Sequence, residues 1–359
     1  FHQNINSLTE EFLLEKKFLT SNSLRIKLKN KNTLTISYID KLPFLFKTNL
    51  YVFFRVGNIG SFANRFDLRL NYENLLKNKK FVSLESFSKK YISKDSILKL
   101  GEILQSKVVI FYDYDTDNRA NRLNLSNCVD ELKEELYLRN IDNSLIIDSL
   151  KELIKRDFSV VRLGRSQNKF PLKNKKFYDF AFDFNSHKDM PAFDFLLPFN
   201  STLCITLGNG AQQCAKLFGI PILNVGYHRF DNWQIHGNAM FVPKKFFSSK
   251  NNSLIPMSKL QRMEIIPYSK SYWDSKNIYI RSPSNYEIKK SLLELLELIE
   301  KNINIPDLNL SKINSWQEFY LSNNSEYKKG QKSNYNQKEK FSVILSNYEL
   351  EKYKNFYFK

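Results

Sequence analysis

From Lys107 onward, short apolar segments alternate with amphipathic helical patterns, and this alternation limits the possible folds of the chain. Apolar runs rich in β-branched and aromatic residues predict strands, whereas apolar residues three and four apart predict helices. Strands that alternate with helices at this spacing are joined by crossovers and lie parallel. The sequence therefore predicts an α/β unit with a doubly wound sheet. Its strands are expected at 107–112, 159–163, 178–184, 202–206 and 221–225, and its helices at 141–156, 191–199 and 211–218.

The segments that flank this unit have other patterns. A helical pattern at 95–104 precedes it, and a capping-box pattern, Ser284 to Glu287, opens a later helix with one apolar stripe. Residues 323–340 are rich in Lys and Asn, which is typical of a flexible connector. We therefore expect three parts: an N-terminal lobe at 1–105, expected to be partial because the sequence begins at Phe1, a central lobe at 106–305, and a C-terminal helical extension at 306–359 with a flexible linker at 323–340.

The chain is strongly basic, with a formal net charge of +18. The simplest interpretation is a Lys-rich surface that faces water. A second is peripheral contact with the anionic inner face of a membrane, which attracts basic surfaces. Nucleic-acid binding is not expected, because the sequence has no zinc-finger spacing, no aromatic RNA-binding signature and no compact Arg stripe. Three widely spaced cysteines without a CxxC pair favour a reducing cytoplasm, and no apolar run approaches the ~20 residues of a membrane span.

The turn that follows the strand at 202–206 is the first candidate binding element. The sequence there is Thr-Leu-Gly-Asn-Gly-Ala-Gln, with Gly208, Asn209 and Gly210 between a buried strand and a helix. Glycines allow a close backbone approach to a ligand, and a helix N-terminus offers free N–H groups and partial positive charge. Such a turn is suited to a diphosphate. It is equally compatible with a tight turn that binds nothing.

Two arginines at the strand 159–163 are the second candidate element. Arg162 lies within the apolar run and Arg165 follows Gly164. Guanidinium groups match phosphate oxygens bidentately, so either arginine is a candidate phosphate ligand. This interpretation predicts that Arg162→Ala loses ligand binding and keeps the fold. The alternative is a structural ion pair, for instance with Asp183, because a buried arginine needs a partner.

A run of aspartates follows the first strand of the unit. Asp113, Asp115 and Asp117 alternate with other residues, a spacing that suits a divalent ion, a general base or a solvated acidic turn. As a calcium loop the run fails, because Asn118 stands where glycine is required. The histidines show no metal-ligand spacing. We therefore predict no bound metal.

Five segments form an ordered series along the central lobe. They read LRNID at 138–142, VRLG at 161–164, FDF at 182–184, NG at 209–210 and LFGIP at 217–221. Taken in order, they resemble a family of bacterial glycosyltransferases from surface-polysaccharide gene clusters, distant relatives of the GT-B and O-fucosyltransferase-like enzymes. The family's usual run is Tyr-Arg-Asn-x-Asp, Val-x-Arg-Met-Gly, Ile-Asp-Tyr, a Ser-Gly turn and Leu-Phe-Gly-x-Pro. Asn209 stands where the family usually has Ser, and Ile110 to Asp113 stand where it has His-x-Arg.

The resemblance implies a GT-B-like α/β architecture, with two Rossmann-like lobes that each contain a parallel sheet. The lobe at 1–105 would be the acceptor side and the lobe at 106–305 the donor side. The donor would be a nucleotide sugar that serves as co-substrate, with no cofactor, and the acceptor a cell-surface glycan or its lipid-linked precursor. The general base would come from Asp113, Asp115 or Asp117. Donor binding would fall to Arg139, Asn140, Arg162, Gly164, Arg165, Asp183, Gly208, Asn209 and Gly210.

Two other functions fit the same pattern. One is a catalytically inactive GT-B-like module that binds glycan or nucleotide within a polysaccharide assembly complex. The other is a metal-dependent GT-A enzyme, should the aspartate run bind manganese. Retained hydrolysis of the donor distinguishes an active enzyme from an inactive module, and sensitivity to a chelator identifies the metal-dependent type.

Overall fold

The computed structural model describes residues 93–113, 138, 141–184, 187–207, 215, 220–228, 238–261, 269–303 and 343–358. The N-terminal lobe predicted at 1–105 lies outside these ranges up to residue 92, and so does the linker predicted at 323–340. Within the described ranges, no helix combines the length and the apolar character that crossing a bilayer requires.

Strands and helices alternate through the described part of the chain. The strands are β1 (Val108–Tyr112), β2 (Ser159–Leu163), β3 (Phe177–Asp179), β4 (Leu203–Thr206), β5 (Ile222–Val225), β6 (Ala239–Val242), β7 (Lys245–Ser248), β8 (Ile278–Arg281) and β9 (Val343–Leu345). The helices are α1 (Lys94–Ile103), α2 (Ser144–Lys155), α3 (Phe180–Asp183), α4 (Met190–Phe199), α5 (Met257–Gln261), α6 (Lys270–Ser275), α7 (Asn285–Glu300), α8 (Asn347–Lys352) and α9 (Lys354–Tyr357).

Seven of the strands form one sheet in the order β3-β2-β1-β4-β5-β6-β9, in which each neighbouring pair is parallel. Strands β7 and β8 pair antiparallel beside it. Every residue of β1, β2, β4, β5 and β6 is buried. Parallel strands covered on both faces are expected to be continuous apolar runs. The predicted α/β unit with a parallel sheet is therefore confirmed, and its strand order is consistent with a Rossmann-like fold.

The predicted strand at 178–184 is shorter than expected. Strand β3 ends at Asp179, and the next four residues form α3. The Asp179 side chain is engaged there, because Oδ2 accepts the Phe170 N–H at 2.8 Å and NH1 of Arg162 donates to Oδ1 at 3.1 Å. The aromatic residues after Asp179 favour a longer strand, but β3 ends at Asp179, whose carboxylate is hydrogen-bonded to Arg162 and Phe170.

Helix α7 forms where the capping-box pattern predicts it. The Ser284 Oγ accepts the Glu287 N–H at 3.3 Å, and Glu287 Oε2 accepts the Ser284 N–H at 2.6 Å. The apolar stripe contacts α2, β5 and β6. Burial of each leucine or isoleucine of the stripe stabilises the folded state by about 1.5–3 kcal/mol, so this stripe contributes much of the energy that holds the helix against the sheet. Its buried members are Ile288, Leu292, Leu295 and Leu296.

The C-terminal segment 343–358 completes this same unit. Strand β9 pairs with β6, with Ile344 beside Met240. The sequence placed this segment in an extension separate from the unit that ends at residue 305, and the structure instead joins the two. The difference has a physical reason: parallel pairing and a buried ion pair link residues that are far apart in the chain.

That ion pair connects Lys245, the first residue of β7, to Glu349 on α8. Lys245 Nζ lies 2.6 Å from Glu349 Oε2, and the two side chains are 1% and 0% exposed. The Tyr357 hydroxyl donates to the same oxygen at 3.0 Å. Burial lowers the pKa of Lys245, although Glu349 and Glu287 oppose this effect. The pair attaches the C-terminal segment to the rest of the unit.

Candidate functional site at the carboxyl edge of the sheet

The carboxyl ends of the parallel strands lie together at one edge of the sheet, which we call the carboxyl edge. The chain passes from β1 to β2 and β3 on one side of β1, and from β4 to β5 and β6 on the other. The order therefore reverses between β1 and β4. In open α/β sheets, ligands bind outside the carboxyl ends of strands at such a switch point. The residues that follow β1, β2 and β4 are therefore the candidate functional site.

The strand register explains which charged groups meet at this edge. Arg162 in β2 is aligned with Phe111 in β1 and with Asp179 in β3. Aligned residues of parallel strands present their side chains on the same face, and so do residues two apart along one strand. Asp179 therefore lies on the same face as Arg162. Asp113 follows Phe111 by two positions, so it is brought to this face as well.

Each nitrogen of the Arg162 guanidinium donates to at least one acceptor. Its Nε and NH2 donate to Asp113 Oδ2 at 3.0 and 2.5 Å, and its NH1 donates to Asp179 Oδ1 at 3.1 Å and to the Asn168 carbonyl at 2.9 Å. The guanidinium also lies over the Phe170 ring, 5.3 Å from its centroid. The side chain is only 2% exposed. Burial alone would lower the pKa of Arg162, but Asp113 and Asp179 raise it above its ordinary value.

Of the two interpretations of Arg162, this geometry favours the structural ion pair. The partners are Asp113 and Asp179, whereas the partner expected from the sequence, Asp183, is an exposed residue at the end of α3. A phosphate would have to compete with two carboxylates for the Arg162 guanidinium. Asp113, the one proposed catalytic aspartate within the described residues, accepts hydrogen bonds from Arg162 through the same contacts.

Gly164 and Arg165 carry the chain away from β2 at the carboxyl edge. Gly164 has a φ of +119°, a conformation that side-chain-bearing residues rarely adopt. The next residue, Arg165, has a side chain that is 15% exposed. Its NH1 donates to the Gly164 carbonyl at 2.7 Å and to Asp194 Oδ2 of α4 at 3.1 Å. Arg165 is thus a cationic group held in place at the carboxyl end of β2 and still reached by solvent.

A second cationic group lies after β6. Lys244 is 3% exposed, and burial lowers its pKa to about 7. Its Cε lies close to Gly226, which follows β5 with a φ of +71°. A Cβ on Gly226 would be 3.6 Å from that Cε and would overlap Cδ1 of Ile141. The glycine is therefore required both by its backbone conformation and by the close approach of Ile141, from the predicted 138–142 motif.

Three charged residues of this edge were not predicted as site residues. Asp179 becomes a partner of Arg162 through strand register, which periodicity does not reveal. Asp194 is a lone carboxylate within the apolar sequence of α4, and that isolation was a signal available in the sequence. Lys244 gave no signal, because it is one lysine in a chain rich in lysine.

Seven of the predicted site residues lie outside the described residues, so their positions stay predictions. They are Asp115, Asp117, Arg139, Asn140, Gly208, Asn209 and Gly210. Within the part of the chain that the structure describes, no group of three or more His, Cys, Asp or Glu side chains is arranged to hold a metal ion.

Comparison with known proteins gives no relative for this chain: no protein-family model, no curated protein and no solved structure matches it.

Proposed function

We propose that this chain is a glycosyltransferase of the GT-B type that binds a nucleotide sugar at the carboxyl edge and transfers the sugar to a surface glycan or its lipid-linked precursor. The observation that carries the proposal is the reversal of strand order between β1 and β4, with Arg165 after the carboxyl end of β2, the strand next to β1. Ligands of open α/β sheets bind at such a reversal. The five-segment resemblance supports the same function independently of the geometry.

In the proposed reaction, the bond between the anomeric carbon and the phosphate oxygen of the donor breaks, and a bond from that carbon to an acceptor oxygen forms. The nucleotide leaves with the electron pair, and the acceptor proton passes to a carboxylate. Cationic groups stabilise the charge that develops on the phosphate of the leaving nucleotide. Arg165 suits this role because its guanidinium is partly exposed, whereas Arg162 is already bound to two carboxylates. The base would come from Asp113, Asp115 or Asp117.

The basic surface suggests where the acceptor is met. With a net charge of +18, the chain would be attracted to an anionic membrane by about 1 kcal/mol for each cation near the surface. A lipid-linked acceptor would be reached there. A peripheral position on the inner face of a membrane is part of this proposal.

A catalytically inactive nucleotide- or glycan-binding module is the second candidate. It is favoured by one observation: Oδ2 of Asp113 accepts two N–H groups from Arg162, so this carboxylate has a structural role. If Asp115 and Asp117 also fail to act as the base, the chain would bind a donor without transferring its sugar.

The test is a calorimetric binding screen with UDP-glucose, GDP-mannose, dTDP-glucose and CMP-sialic acid. We expect one of them to bind and Arg165→Gln to raise its Kd about tenfold or more, since a hydrogen bond to a charged group contributes about 1.5–3 kcal/mol. Arg156→Gln is the matched control, because Arg156 is an exposed arginine at the end of α2. Its Kd should equal that of the unmodified chain.

Absence of binding by all four nucleotide sugars rejects the proposal, and so does an Arg165→Gln variant with unchanged affinity. Release of free sugar from the bound donor separates the two candidate functions. An active transferase hydrolyses its donor slowly in the absence of an acceptor, whereas the inactive module binds the donor and leaves it intact.

A further inference from the structure

Asp194 is a carboxylate in an apolar setting. It lies in the middle of α4, whose neighbouring residues Phe193, Leu196 and Leu197 are fully buried. The Asp194 side chain is 2% exposed. An ionised carboxylate at such a position requires compensation by charge and hydrogen bonds.

The compensation that Asp194 receives is incomplete. Its Oδ2 accepts one N–H from Arg165 at 3.1 Å. Its Oδ1 is buried, and no hydrogen-bond donor reaches it from the residues that the structure describes. Asp179 differs, because its two oxygens accept from Arg162 and from the Phe170 N–H. Burial raises the pKa of Asp194 to about 7, and Arg165 only partly opposes that effect.

The charge state of Asp194 therefore changes near neutral pH, one hydrogen bond away from Arg165. Ionised Asp194 neutralises the guanidinium, whereas protonated Asp194 leaves its positive charge uncompensated by this partner. In both states Arg165 keeps a second acceptor, the Gly164 carbonyl at 2.7 Å. The guanidinium thus stays at the carboxyl edge, and what changes is the net charge it presents.

We propose that Asp194 is a positioning residue that sets the charge Arg165 presents at the carboxyl edge, so that an anionic donor binds more tightly when Asp194 is protonated. This inference rests on the proposed function, since it concerns the same donor. The inference adds to that function a residue on another element, Asp194 on α4, and a direction of pH dependence.

The other charged groups around α4 have partners of their own. Asp189, just before the helix, accepts the Ser93 N–H at 2.9 Å and the Ser93 hydroxyl at 2.6 Å. His187 Nδ1 lies 3.9 Å from Asp189 Oδ2. Strand β1, which α4 contacts, is apolar except for the phenol of Tyr112. Lys244, whose pKa burial lowers to about 7, is the alternative source of a pH effect at the carboxyl edge, and Asp194→Asn leaves that lysine unchanged. His187 lies close to the start of α4 and provides the control.

The experiment measures Kd by calorimetry from pH 6 to pH 8 with the best-binding of UDP-glucose, GDP-mannose, dTDP-glucose and CMP-sialic acid. The phosphate groups of these donors stay fully ionised over this range, so the ligand contributes no titration there. We expect the Kd of the unmodified chain to rise about tenfold between pH 6 and pH 8. Asp194→Asn, which is neutral at every pH, should keep the low Kd of pH 6 throughout.

His187→Gln should reproduce the profile of the unmodified chain. A flat profile in the unmodified chain overturns the inference even if Asp194→Asn does not fold. A profile that survives in Asp194→Asn, or that disappears in His187→Gln, also overturns it. Binding with a flat profile rejects this inference alone, whereas no binding of any donor at any pH rejects it together with the proposed function.

Discussion

Arg162 Nε donates to Asp113 Oδ2 over 3.0 Å, which links the end of β1 to the penultimate residue of β2. A third strand joins them, because the same guanidinium binds Asp179 of β3. Three neighbouring strands are thus connected by one buried arginine between two carboxylates. The arginine that the sequence presents as a phosphate ligand is therefore better described as part of the framework beneath the candidate site.

Arg162→Ala should lower the free energy of unfolding by about 3–5 kcal/mol, because removal of one partner leaves buried carboxylates uncompensated. Urea unfolding followed by circular dichroism measures this loss. Arg156→Ala is the control, because that arginine is 40% exposed and its ion pairs with Glu152 and Glu300 lie at the surface. A stable Arg162→Ala variant that has lost donor binding would instead support the phosphate-ligand interpretation.

The Lys245–Glu349 pair should stabilise the attachment of the C-terminal segment. Lys245→Met or Glu349→Gln alone should each destabilise by about 3–5 kcal/mol, whereas the double variant should recover much of the loss, since no buried charge then stays unpaired. The exposed pair Lys270–Asp274 is the matched control. The double-mutant cycle of this exposed pair should give a coupling free energy of less than about 1 kcal/mol. Additive losses at Lys245 and Glu349 would argue against their coupling.

Glu287 should contribute to stability above its unfolded pKa and lose that contribution in acid. Burial raises the pKa of Glu287, but Lys245, Tyr353, Ser284 and Lys352 together lower it from 4.5 to about 2. At pH 7 this lowering of the pKa corresponds to a contribution of about 3 kcal/mol to the free energy of unfolding. The contribution declines as pH falls below about 4.5, when the unfolded chain becomes protonated, and disappears near pH 2.

Glu287→Gln tests this dependence. The difference in unfolding free energy from the unmodified chain should be largest at pH 7 and should shrink steadily between pH 4.5 and pH 3. Glu297→Gln is the control, because Glu297 is an exposed residue of the same helix, paired with Lys301. A difference at Glu287 that is independent of pH would show that it arises from packing and not from the carboxylate charge.

Gly226→Ala should destabilise the chain by roughly 1–3 kcal/mol, because the added methyl both overpacks and demands a positive φ. The methyl would overlap Ile141 Cδ1. Ile141→Val in the same chain should recover part of the loss, since it removes that atom. Gly101→Ala, in α1 with open space at its Cβ, is the control and should be neutral or stabilising. Equal effects at the two glycines would exclude the steric explanation.

Local patterns predicted the elements of the fold well. The segments 107–112, 159–163 and 202–206 read as strands because strands covered on both faces must be continuously apolar, and β1, β2 and β4 lie there. Helix α7 was predicted because its capping box and its apolar stripe are determined by residues three and four apart. The boundary at Asp179 was missed, since the side-chain contacts of that residue come from a neighbouring strand.

Local sequence patterns were sufficient to predict a parallel α/β unit, the positions of β1, β2, β4, β5 and α7, and the presence of Arg162 and Arg165 at one strand end. The tertiary structure decided that Arg162 binds Asp113 and Asp179, that Arg165 binds Asp194, and that residues 343–358 complete the sheet. The physical reason is that periodicity reports only on neighbours along the chain. Ion pairing and desolvation depend on which strands and helices become neighbours in space.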